Sequence, residues 1–220
     1  MIQLEVWGPY ALFTRGEMKV ERVSYDVPTP SAARGIVESL YYHPGIRWHI
    51  RRIYVLNPIE FTTIRRNEVK SKILGGTAMR IAQGKEDEPY LVTTKQIVQR
   101  ASMVLTNVHY VIEAEFEMLP EKAAPGDNPG KFQDIIKRRL EKGQCYSMPY
   151  FGTREFPAQF RRCTELPPCP DELKGTRDLG WMLWDLDYSD PADITPKFFR
   201  ASLVDGVMTV PPPNSGEVRG

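Results

Sequence analysis

The stretch PTPSAARGIVESLYYHPGIRWHIRRIYVLNPIEF, residues 28–61, reads as a capped helix followed at once by a strand. Thr29 is placed to cap the helix, and Pro30 suits its first position, where a missing N–H leaves nothing unsatisfied. Ala33, Ile36, Val37, Leu40 and Tyr41 recur at helical spacing on one side, which predicts a helix over 30–42. Pro44-Gly45 stops it, and Trp48, Ile50, Ile53, Tyr54 and Val55 predict a strand over 46–56. A cation-rich strand beside an exposed tyrosine and histidine suits a surface for single-stranded or hairpin RNA. It is equally the first half of an α+β domain with a solvated face.

Outward from this stretch, Ile2, Leu4 and Val6 alternate with Gln3, Glu5 and Trp7, a half-buried strand closed by Gly8-Pro9. Residues 10–27 form a connection. After Asn57-Pro58, IEFTTIRRNEV runs out toward solvent. Gly75-Gly76 and 83–89 mark loops or a hairpin tip, and YLVTTKQIVQRASMVL returns to the sheet. The clearest strand is VHYVIEAEFEM, 108–118. Val108, Tyr110, Ile112, Ala114, Phe116 and Met118 lie on one face, with His109, Val111, Glu113, Glu115 and Glu117 on the other. Past a Pro/Gly-rich loop, Asn128 and Pro129 open a second helix with Phe132, Ile136 and Leu140 on one side and Gly143 beyond its end. The resulting order is compatible with an α+β, ferredoxin-like βαββαβ core carrying an extended hairpin, its last strand near Met148–Phe160. Composition changes past the Cys163–Pro170 turn region, where 181–188, 198–206 and 207–211 read as short strands of a small β-rich subdomain. The expected organisation is therefore 1–160, 161–210 and a disordered tail, 211–220.

With 220 residues, 41% hydrophobic and 26% charged, the chain can bury a real core. The net charge of +1 does not point to nucleic acid, but its distribution is uneven. Seven Lys/Arg face two Glu between Arg47 and Lys72, and again between Lys137 and Arg162. Between Asp171 and Asp193 seven acidic residues face Lys174 and Arg177. Such segments fit a groove that follows a phosphate backbone, or ordinary solvated surface. Three cysteines, no secretory segment and no run of transmembrane length place the protein, by expectation, in a reducing cytoplasm and away from membranes.

No phosphate-loop, dinucleotide, zinc-protease or nucleophile-elbow motif is present, so no cofactor is expected. The spacing of Cys145, Cys163 and Cys169 fits no usual zinc pattern, so no metal is expected either. Any histidine chemistry must use His43, His49 or His109. Lys131, in GKF, sits at a helix opening whose backbone amides favour an anion. Tyr41 lies in an apolar stripe, where packing competes with a catalytic role. GTREF, 152–156, reads as a Gly turn between strands.

Several long segments, in order, carry a resemblance over most of the chain. They are EVWGPYALFTRGEMKVERVSYDVPTPSAARGIVESLYYHPGI, TNVHYVIEAEF, GKFQDIIKRRLEKG and YFGTREFPAQF. The chain resembles the repeat-processing RNA endonucleases of subtype I-C CRISPR systems, the Cas5d branch of the Cas5 family. The resemblance implies a ferredoxin-like (RRM-like) N-terminal domain with a β-rich C-terminal extension. It implies metal-independent cutting of the precursor crRNA repeat hairpin, followed by retention on the mature crRNA 5′ handle among the other subunits of a type I-C Cascade complex. The family's catalytic tyrosine and lysine match Tyr41 and Lys131, whereas its histidine position falls on Phe132. His43 or His109 would then have to supply an imidazole, and His43 is the preferred candidate. The alternative is a non-catalytic subunit that binds the crRNA handle. Phosphate-contact candidates are Arg34, Arg51, Arg52, Arg65, Arg66, Lys137, Arg138 and Arg154; only some can face RNA, since adjacent strand residues point oppositely. The same basic surfaces make double-stranded DNA a further candidate partner.

Overall fold

The computed structural model describes residues 1–18, 20–71, 74–85 and 92–220. Lys72, counted in the first basic segment, and 86–91 of the expected loop and return strand lie outside the described residues. Helix α1, Pro30–Leu40, begins as the sequence predicts, with Thr29 Oγ1 accepting from the Ala32 amide at 3.1 Å. It ends earlier than expected. Tyr41 has extended backbone and lies past the helix. The carbonyls that a helix end leaves unpaired are taken by distant donors. Ser39 O accepts from the Tyr146 and Ser147 amides, Leu40 O from Arg139 Nη1 at 2.7 Å, and Tyr41 O from Trp48 Nε1 at 3.0 Å.

Strands β1 (Ile2–Ala11), β2 (Arg22–Val23), β3 (Ile46–Val55) and β4 (Glu60–Val69) are followed by short helices α2 (Gly75–Ala82) and α3 (Thr93–Gln96). Strand β5 runs from Ile97 to Met118, and α4 from Pro129 to Glu141. Strand β6 (Gln159–Arg162) precedes β7 (Thr176–Asp187), β8 (Thr195–Val204) and β9 (Val207–Thr209). The central antiparallel order is β6-β1-β5-β3, with α1 and α4 supplying the apolar faces that cover it. This α+β arrangement is consistent with a ferredoxin-like fold.

The alternation read in 108–118 is the structural axis. Val108, Tyr110, Ile112 and Ala114 are buried in the core, and β5 pairs β1 on one side and β3 on the other. At Asn107 the backbone turns left-handed, with φ 48°, and β5 changes partner from β3 to β4; Val104 and Leu105 stay in the core, and the pairing with β4 runs on to Val69↔Ile97 as an arm. The last strand of the core is shorter and later than expected. Gly152, with φ 79°, and two flanking prolines break the ladder, so 149–157 forms a loop whose Phe151 is fully buried. Of the C-terminal strands, β7 and β8 are longer than expected and β9 is shorter, and all three continue the same sheet. Strand β9 pairs β3 through Arg52↔Thr209, Ile53↔Met208 and Tyr54↔Val207, giving a nine-stranded sheet among the described residues. Residues 211–220, expected as a disordered tail, run back to β8, where Arg219 and Phe198 exchange two backbone hydrogen bonds. No helix among the described residues is long and apolar enough to cross a membrane.

Candidate active site

The site forms where the end of α1 meets the start of α4. Asn128 caps α4, its Oδ1 accepting from the Lys131 amide at 3.0 Å, so the Lys131 side chain leaves from the first turn. Phe132, one residue on, points inward and is 1% exposed, anchoring the Phe132-Ile136-Leu140 stripe. Tyr41 and His43 leave the α1 terminus on the same side, because the extended Tyr41 backbone makes alternate side chains point alike. The His43 ring packs on Phe132 at 4.8 Å between centroids, and Tyr41 packs on Phe132 at 6.1 Å. The Tyr41 and His43 rings are stacked, 6.5 Å apart. The structure thus gathers Tyr41, His43 and Lys131. An imidazole lies against position 132, carried there by another element. His49 and His109 lie elsewhere, on the open face of the sheet.

The protonation of the cluster follows from its contacts. Burial pushes the Tyr41 phenol above its ordinary value, with the Arg139 guanidinium 5.2 Å from the ring centroid opposing it, so Tyr41 is a proton donor at neutral pH. The Asp127 carboxylate accepts from Lys131 Nζ at 2.8 Å, which pushes the lysine up and the aspartate down. His43 Nδ1 accepts the Gly45 N–H at 3.0 Å, so the neutral ring carries its proton on Nε2, 3.7 Å from Asp127 Oδ2. Tyrosine and lysine are therefore both poised to donate, toward an oxygen or a phosphate.

Sequence reasoning missed Asp127 and Arg139. Asp127 had a readable signal, an acid four residues before a lysine at a helix start. Arg139 had none, since its contacts with Leu40 O and Tyr41 cross from α4 to α1.

The phosphate-contact candidates divide in two. Arg34 is held by Asp185 at 2.9 Å, Arg51 by Glu115 at 2.7 Å, Arg52 by Glu113 at 3.2 Å, and Arg66 by Glu155. Arg65, Lys137, Arg138 and Arg154 are exposed and have no ion pair among the described residues. The expectation that neighbours Arg51 and Arg52 point oppositely is corrected. A β-bulge between Ile50 and Arg52 aims both at carboxylates on the same face of β5. That open face is largely self-neutralised. Glu5, 4% exposed, accepts from Arg161 and His109, and the Arg161 hydrogen bonds hold its carboxyl below the ordinary value. Among the described residues no three His, Cys, Asp or Glu side chains gather as a metal ion would require.

This α+β chain is a CRISPR-associated protein: its residues 1–211 match the family Cas_Cas5d, CRISPR-associated protein (Cas_Cas5). A protein of Mannheimia succiniciproducens called CRISPR pre-crRNA endoribonuclease Cas5d is 47% identical over 223 residues, spanning 99% of this chain and 98% of that relative. One of the same name from Thermus thermophilus is 37% identical over 229 residues, spanning 96% and 91%. The crystal structure of a functionally uncharacterized protein from Streptococcus mutans superposes with a TM-score of 0.70 at 20% identity, over 100% of this chain and 96% of that one, so the fold is shared. The chain belongs to the Cas5d family.

Proposed function

We propose that this chain is a metal-independent endoribonuclease that cuts the repeat hairpin of precursor crRNA and stays on the 5′ handle as a subunit of a type I-C Cascade complex. The observation that carries this reading is the convergence of Tyr41, His43 and Lys131 around Phe132 at one surface. The endoribonuclease name borne by the relatives supports it. In the cut, the 2′-oxygen bonds to the adjacent phosphorus and the P–O5′ bond breaks. A proton leaves the 2′-hydroxyl and one arrives on the 5′-oxygen, giving a 2′,3′-cyclic phosphate and a 5′-hydroxyl without consuming water. Lys131 stabilises charge on the phosphorane, and Tyr41 donates to the leaving oxygen. His43 supplies the imidazole, which acts as a base once Nδ1 is released from the Gly45 amide. The occupation of its Nδ1 by the Gly45 amide, with Nε2 facing Asp127, favours a second reading, a handle-binding subunit that does not cut. In either reading, 1–160 carries RNA contact, 161–210 faces partner subunits, and the protein works in the cytoplasm.

The test is incubation of purified protein with its cognate repeat hairpin in excess EDTA, beside a hairpin with deoxyribose at the cut. One cut in the unmodified RNA alone is expected. Tight binding of folded protein with no cut selects the handle-binding reading.

The free cations define the RNA track in this proposal. Alanine at Arg65, Lys137, Arg138 or Arg154 is expected to weaken hairpin binding for any sequence. Each should also reduce the slope of log K against log salt by about 0.7–0.9 for every phosphate that is no longer neutralised. Arg51→Ala, which removes a residue already paired with Glu115, is expected to leave the slope unchanged. Equal slopes for all five variants would reject this track. The same cations would attract double-stranded DNA.

A further inference from the structure

We propose that Asp127 is a positioning residue of this site, fixing the Lys131 ammonium and the His43 ring relative to each other for attack on an RNA phosphate. The proposal rests on the endonuclease reading above, but its geometry stands apart from it. Asp127 lies in the turn before α4, and its side chain is 1% exposed. That cover comes from the groups it pairs with in an otherwise exposed turn, not from the core. Its two oxygens are divided between two elements. Oδ1 accepts from Lys131 Nζ at 2.8 Å, on α4; Oδ2 accepts from the Ala124 amide at 2.8 Å and lies 3.7 Å from His43 Nε2, on the loop after α1. Asp127 is thus the carboxylate between the lysine and the histidine.

This pairing does not disable the lysine. An ammonium has three donors, and Asp127 takes one, leaving two for phosphate oxygens. The charge also keeps Lys131 protonated to higher pH, since the lysine is pushed up chiefly by this hydrogen bond. The other charged or titratable groups facing the cluster are Tyr41 from the α1 terminus and Arg139 from α4, the latter lying over the Tyr41 ring. A negative charge here opposes RNA binding while it orders the groups that act on RNA. Loss of that charge should therefore separate rate from affinity, a split that a purely structural loop contact would not produce.

Asp127→Asn keeps an acceptor for the Ala124 amide and removes the charge. Single-turnover cleavage of the hairpin is expected to fall about 10–100-fold while affinity holds or tightens, because misplaced groups slow the step without weakening the hold on RNA. The alkaline limb of the pH–rate profile is expected at lower pH, and an NMR titration of Lys131 Nζ in the free protein should show the same downward shift. Asp127→Glu, which restores the charge with a longer reach, is expected to recover the Lys131 titration but not the full rate. Cleavage within about twofold of wild type at every pH overturns the proposal, as does an unchanged Lys131 titration. A parallel loss of affinity and melting temperature also overturns it, assigning Asp127 to the loop alone. If the wild-type protein binds without cutting, the endonuclease reading fails, and the Lys131 titration and the affinity still decide whether Asp127 sets the lysine.

Discussion

Lys131→Ala is expected to slow single-turnover hairpin cleavage by about 100- to 1,000-fold while changing hairpin affinity by only about threefold, since removing one preorganised donor from developing oxyanion charge has that scale. The reasons are positional. Lys131 sits in the first turn of α4, where the helix dipole already favours negative charge, and Asp127 holds its ammonium in place. Charge on the phosphorane exceeds that on the ground-state phosphate, so the ammonium is worth more in the transition state than in binding. The substitution also removes one partner of the Asp127 carboxylate, which keeps the Ala124 amide, so a small loss of stability accompanies it. A melting curve on the same preparation separates the two effects. Lys131→Arg, which keeps the charge in a planar, bulkier group, is expected to restore the melting temperature more fully than the rate. Cleavage by a folded Lys131→Ala protein within about threefold of wild type would remove Lys131 from the chemistry.

The largest effect on stability is expected at Gly152. Its backbone lies at φ 79°, which costs an L-residue about 1–2 kcal/mol. A Cβ there would overlap the Leu12 carbonyl oxygen and lie 2.7 Å from the carbonyl carbon. Both neighbours are backbone, so neither can rotate away. The loop is pinned to β1 by the Leu12 amide donating to Phe151 O at 3.0 Å, and Phe151 packs edge-on against Phe13 and Tyr110. Relieving the overlap means lifting Phe151 out of the core. Gly152→Ala is therefore expected to cost about 3–5 kcal/mol, comparable to losing a buried aromatic, and to lower the melting temperature by roughly 6–20 °C for a chain of this size. A shift below about 2 °C would mean that the 149–157 loop moves freely against β1.

These two positions differ in how far the sequence announced them. Lys131 could be read as a helix-opening lysine because Asn128 and Pro129 are local signals and an apolar stripe follows at i, i+4 and i+8. Gly152 could be read as a turn glycine, but not as the point where two backbones meet. The arm formed by β4 and β5 was legible as an extended hairpin, whereas the change of partner from β3 to β4 falls at Asn107, a left-handed residue inside an unbroken β-pattern. Arg51 and Arg52 show the same limit. Alternation predicts opposite faces, and a single bulged residue, set by the pairing of β3 with β5, places both on one. The C-terminal strands were legible as strands. Their continuation of the main sheet rests on three residues of β9 pairing with β3, and nothing local in VMT names that partner.

By itself the sequence determined the order of the core elements, though not β2, α2 or α3, together with the buried faces of α1, α4 and β5 and the caps at Thr29 and Asn128. Each of these depends on side-chain period or on hydrogen bonds spanning a few residues. Only the tertiary structure decided that His43 lies against Phe132, that Asp127 lies between His43 and Lys131, and that four of the eight phosphate-contact candidates are already paired with carboxylates. The placing of His43 depends on where the α1 terminus stops. Donors from residues 48, 139 and 146–147 set that point, and only packing of the whole chain brings them to it.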